Sequence, residues 1–76
     1  MTNSEKLFLI LAEELNFRRA AARAFLSQQG LSDHIRRLEG CYGTPLFYRR
    51  PRVSLTPAGE AVQRTLQRVK NLESGL

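Results

Sequence analysis

Cysteine and histidine each occur once in this 76-residue chain, so neither an internal disulfide nor a Cys/His metal cluster can staple it. Long apolar runs are missing: the longest, Leu7 to Ala12, has six residues, against the roughly 20 that a membrane-spanning helix needs. No basic, apolar and small-residue leader opens the chain, which therefore reads as a soluble, cytoplasmic domain without a membrane partner. Catalytic groupings are absent too. There is no Ser/His/Asp set, no glycine-rich phosphate loop and no carboxylate pair at usable spacing, so the enzyme reading is dropped and no cofactor is expected.

Acidic residues are outnumbered. Twelve Lys and Arg stand against seven Asp and Glu, giving a net charge of +5. Ten of the twelve cations are arginine, whose planar fork suits phosphate and guanine. The excess is uneven. Lys6 against Glu5, Glu13 and Glu14 leaves residues 1–15 at −2, while Arg49, Arg50 and Arg52 put residues 41–56 at +3. A basic middle behind an acidic start suggests an anionic polymer as partner. The 42% apolar content argues for a packed core. A domain this small buries only about 60% of the surface of its unfolded chain, so help from self-association is expected.

Hydrophobic periodicity predicts four helices and a hairpin. Leu7, Phe8, Leu11, Ala12 and Leu15 form one stripe, opened near Asn3 by a capping box of Thr2 and Glu5. Asn16 breaks it. A short second helix, about Arg18 to Ala24, shows small residues on its inner face: Ala20, Ala21 and Ala24. Ser27 caps a third helix whose buried stripe is Leu31, Ile35, Leu38 and Tyr42, with Gly43 as its stop. Two β-prone runs, Leu46–Arg49 and Arg52–Leu55, flank Arg50-Pro51. Thr56 and Pro57 then open a fourth helix, along which Ala58, Val62, Leu66, Val69 and Leu72 or Leu76 make a seam that calls for a partner. The expected fold is mainly α: a winged helix-turn-helix with a three-helix core and a two-stranded wing (residues 1–56), followed by a long linker and dimerisation helix (residues 57–76).

Several strings of residues in this order are familiar. Phe17-Arg18-Arg19-Ala20-Ala21, Leu26-Ser27-Gln28, Leu31-Ser32, Ile35-Arg36-Arg37-Leu38-Glu39, Gly43-Thr44-Pro45-Leu46-Phe47 and Leu55-Thr56-Pro57-Ala58-Gly59 together resemble the N-terminal DNA-binding domain of LysR-type bacterial transcription regulators. The resemblance implies a homodimer held by the fourth helices, with each third helix in a major groove of double-stranded DNA and each wing at a neighbouring minor groove. It also implies a larger effector-binding domain in the full-length regulator, absent from this sequence, through which any small-molecule effector would act. This chain departs from the usual pattern at Arg18, where Ser or Thr commonly opens the second helix, at Gln29-Gly30, at Asp33, and in a wing one residue shorter.

The resemblance and the helical angles assign roles. Gln28, Gln29, Ser32, Asp33 and Arg36 are the base-reading candidates, glutamine being able to bond adenine with two hydrogen bonds. Ser32 can instead bond back to its own helix. Asp33 faces phosphates awkwardly and is expected to hold Arg36 or Arg37 in place, with acceptance from cytosine N4 as the alternative. Arg18, Arg19, Arg37, Arg49, Arg50 and Arg52 are candidates for phosphate and wing contacts, Arg52 foremost, while Arg49 has bracing the wing from within as an alternative. His34 is expected to be solvated or to touch a phosphate, and Cys41 to be a partly buried filler rather than a metal ligand. Val62, Leu66 and Val69 are expected to be apolar area that only a second copy covers. The expected function is sequence-specific DNA binding as the reading part of a regulator. The alternative is a winged-helix module that heterodimerises through its last helix.

Overall fold

The computed structural model describes residues 1–73 of the chain, so the alternative seam residue Leu76 lies outside the described residues. Helix α1, Asn3–Glu14, opens on the predicted capping box: the Thr2 hydroxyl accepts from the Glu5 amide, and the Glu5 carboxylate accepts from the Thr2 amide. It ends at Leu15, in the left-handed region with φ 48°. That turn swings Leu15 off the stripe and leaves it exposed, and Leu9 is buried instead.

Helix α2, Phe17–Arg23, starts one residue earlier than expected. The Asn16 side chain accepts from the Arg19 amide at 2.9 Å, so the capping function attributed to position 18 belongs to Asn16, and Arg18 lies inside the helix. Ala20 and Ala21 are buried where α1 and α3 close on them. The chain leaves α2 by a Schellman turn: Leu26 N–H donates to Ala21 C=O and Phe25 N–H to Ala22 C=O. Phe25 occupies the left-handed position, with φ 57°.

Helix α3, Gln28–Tyr42, is capped by Ser27, whose hydroxyl accepts from the Gly30 amide. A Cβ at Gly30 would stand 3.1 Å from that hydroxyl, a close fit that glycine relieves. Leu31, Ile35 and Leu38 are buried, as the stripe predicts. Tyr42 and Cys41 are not: residues 40–45 all lie on the surface, because α3 runs past the edge of the core before Gly43 stops it at φ 72°. The expectations of a buried Tyr42 and a partly buried Cys41 are corrected accordingly.

The wing is a two-stranded antiparallel ladder of β1, Phe47–Tyr48, and β2, Ser54–Leu55, with Phe47 opposite Leu55 and Tyr48 opposite Ser54. It is shorter than the two predicted runs. Helix α4, Pro57–Glu73, is fastened where it begins. The Thr56 hydroxyl accepts from the Gly59 amide and donates to the Pro45 carbonyl, and Thr56 N–H donates to Leu46 C=O. Gly59 is pressed so closely on the Leu46 carbonyl that a Cβ would collide with it.

One core joins these parts. Phe8, Leu11, Leu31, Ile35 and Leu46 are fully buried, and Phe8 meets Phe47 with ring centroids 5.2 Å apart. Val62 and Leu66 belong to this core. They were expected to be open to a second copy, but α4 lies along α1 and turns both residues inward, with Ala58 packed beside them. Beyond them Val69 is half-buried and Leu72 is 77% exposed. No described helix is long and apolar enough to cross a membrane.

Candidate nucleic-acid interface

The first turn of α3 presents Gln28 and Gln29 to solvent, because its inner positions are taken by Leu31 and Ile35. One turn further on, Asp33 accepts a hydrogen bond from the Gln29 amide nitrogen at 2.9 Å. The expected Asp33 partners, Arg36 and Arg37, form no ion pair among the described residues, so the acid orients a glutamine rather than an arginine. The i, i+4 spacing puts Gln29 within reach of Asp33, as it does Arg37 on the other side, and the acid takes the glutamine. Arg36 and Arg37 stay exposed with their charge free.

Apart from Arg64 and Arg68 on α4, the remaining arginines fall into three groups. Arg18, Arg50 and Arg52 are exposed and unpaired among the described residues. Arg19 and Arg23 are held by the end of α1: Arg19 Nε lies 3.3 Å from Glu14, and Arg23 Nη1 lies 2.8 Å from Glu13 and 3.0 Å from Glu14. These bonds, Glu13 first, raise the Arg23 pKa above its ordinary value. Arg49 is different again. Its side chain is 32% exposed and turns inward: Nη1 donates to Ser32 Oγ at 3.0 Å, and the guanidinium carbon sits 4.7 Å from the Phe17 ring centroid. Ser32 therefore accepts from Arg49, with no bond back to its own helix. A shallow cleft lined by Phe17, Gln28, Gln29, Ser32 and Arg49 joins the start of α3 to the wing.

Three participants were missed or misjudged from sequence. Glu39 Oε2 accepts from the amides of Leu46 and Phe47 at 2.8 and 3.2 Å, latching the strand to α3. Phe17 is the platform under Arg49. His34 was expected in solvent or on a phosphate, but its Nδ1 lies 3.3 Å from Ser4 Oγ, because that face of α3 packs on the start of α1. Glu39 stands two helical turns from Ser32 on the same face, a spacing that could have flagged it. No group of three metal-ligating side chains occurs among the described residues.

A three-helix core with a fastened wing and a polar, arginine-bearing face on its third helix defines a winged helix-turn-helix. Residues 3–60 match the lysR family of bacterial regulatory helix-turn-helix proteins, and the chain belongs to that family. It is 49% identical over 65 residues to the transcriptional regulator XapR of Escherichia coli, a match covering 84% of this chain and 22% of that protein. Among solved structures, the DNA-binding domain of BenM in complex with benA site 1 DNA superposes with a TM-score of 0.87 at 28% identity, covering 97% of this chain and 90% of that one. Full-length OxyR of Pseudomonas aeruginosa gives 0.84 at 38% identity over 99% of this chain and 26% of that one. The chain thus spans about a fifth to a quarter of the full-length regulators it matches.

Proposed function

We propose that the chain reads an operator in duplex DNA as a homodimer, with α3 in the major groove and the wing at the adjacent minor groove. Residues 1–56 do the reading and residues 57–76 join the two copies. The observation that carries this is the solvent side of α3, on which Gln29 and Arg36 are exposed with Gln28 and Arg37 at its two edges and neither arginine neutralised, and Arg50 and Arg52 are equally free on the wing. The DNA held by the BenM domain supports the same use of the fold. Gln28 and Gln29 read base edges, Arg36 and Arg37 serve a base or a phosphate, and Arg18, Arg50 and Arg52 neutralise backbone. Leu72 and Val69, at the far end of α4, carry the dimer contact. In a longer regulator the effector acts through a part not spanned here, and the protein works in the bacterial cytoplasm, where its DNA lies.

Selection of bound duplexes from a random library at moderate salt tests this. Enrichment of an interrupted palindrome, with half-sites about 34–36 Å apart, is the expected result. DNA retained at low salt without any enriched sequence would overturn it. The free arginines favour DNA over the alternative of a heterodimerising protein module, for which DNA and partner would not compete.

A further inference from the structure

Arg49 joins three elements that the reading face depends on. Its guanidinium stacks on Phe17 at the start of α2, donates to Ser32 on α3, and places Nη2, buried and without a hydrogen bond, 3.9 Å from Glu39 Oε1. The other Glu39 oxygen holds the base of β1 through two backbone amides. The side chain is thus held from both sides, unlike the open Arg50 and Arg52.

The consequence lies in hydrogen-bond polarity. A guanidinium has donors and no acceptor, whereas a serine hydroxyl has one donor and two lone pairs. Ser32 must therefore accept from Arg49. Its single O–H is left to point elsewhere, and the neighbouring cation discourages a second donor from approaching. Ser32 lines the same cleft as Gln28 and Gln29, so the group offered to the groove from position 32 is a donor.

We propose that Arg49 is a positioning residue that fixes Ser32 as a hydrogen-bond donor, making position 32 select an acceptor on a base edge. Guanine N7 and O6, adenine N7 and thymine O4 satisfy it, whereas cytosine offers only its amino donor in the major groove. One base pair in each half-site should then exclude cytosine from the contacted strand. The inference rests on the reading of α3 as the element that meets base edges.

The test is sequence selection with the parent chain, Arg49→Met, Ser32→Ala and the double variant, each checked for folding by circular dichroism. The parent should deplete cytosine at one position per half-site. Ser32→Ala should weaken that depletion by about fivefold, the worth of one neutral hydrogen bond. Arg49→Met should weaken it at the same position, and the double variant should go no further. The slope of log affinity against log salt should be the same for Arg49→Met and the parent, because a positioning residue neutralises no phosphate. A slope shallower by about one, or a cytosine preference changed only by Ser32→Ala, would overturn the proposal. Should Arg49→Met not fold, Ser32→Ala decides alone: unchanged preference at every position rules out donor selection at Ser32. A parent that enriches nothing removes the DNA reading itself, whereas a parent with a clear operator that all the variants leave unchanged overturns the donor role of Ser32 and its positioning by Arg49 while leaving the DNA reading intact.

Discussion

Phe25 combines two costs without a visible return. It is 95% exposed, and it holds φ 57°, where a side chain with a Cβ is strained by about 1–2 kcal/mol. Replacing it by glycine should stabilise the domain by about 0.5–1 kcal/mol, the relief being offset in part by the freer unfolded chain. Urea unfolding reads this directly, and a loss of stability would show that the ring packs in solution. Gly59 is the opposite case. Gly59→Ala drives a Cβ into the Leu46 carbonyl, which Thr56 already holds by its amide, so a loss of about 2–3 kcal/mol is expected in the same measurement. At this scale the caps were legible, since Thr2, Ser27 and Thr56 each act on a backbone amide three residues ahead. The partners of Arg49 were not, because Ser32 stands 17 residues away and only the folded wing brings the two together.

Among the elements, α3 and α4 were each legible as amphipathic, and each hid something. A buried stripe says that a face is covered, not by what. On α4 the covering element turned out to be α1 of the same chain for Val62 and Leu66, while Leu72 at the distal end stays open. For the proposed homodimer, Leu72→Asp should give a folded monomer by sedimentation, with melting lowered only by the stabilisation that association supplies and binding to a two-half-site duplex strongly weakened. Leu66→Asp should unfold the domain instead. A Leu72→Asp chain that still sediments as a dimer would place the contact elsewhere. On α3 the departure at Asp33 has an answer in Gln29, which it orients. Asp33→Asn removes a negative charge from the exposed side of α3 and should tighten binding to all sequences while blurring the preference at the base pair proposed for Gln29. Unaltered affinity in a filter-binding titration would mean that Asp33 lies outside the field of the phosphates.

For the molecule as a whole, charge decides how it meets its target. Log affinity should fall linearly with log salt, each arginine seated on a phosphate adding about −0.9 to the slope. A flat response between low and moderate salt would contradict the assignment of Arg18, Arg50 and Arg52. The net charge of +5 and its crowding in the middle of the sequence were readable without any coordinates. Which arginines were free was not, because Glu13, Glu14 and Glu39 engage Arg19, Arg23 and Arg49 only after the helices pack.

The junction at Thr56 has a mechanical side. Two hydrogen bonds from Thr56 and the contact at Gly59 weld the foot of α4 to the segment that enters β1, which Glu39 fastens to α3, so no hinge separates the long helix from the helix-turn-helix. A helix of 17 residues is a lever about 25 Å long. Tilting its far end by ten degrees would swing the head through about 4 Å, more than the rise between neighbouring base pairs. In a pair joined at Leu72, the angle between the two levers would act as a protractor that sets the spacing of operator the protein can span.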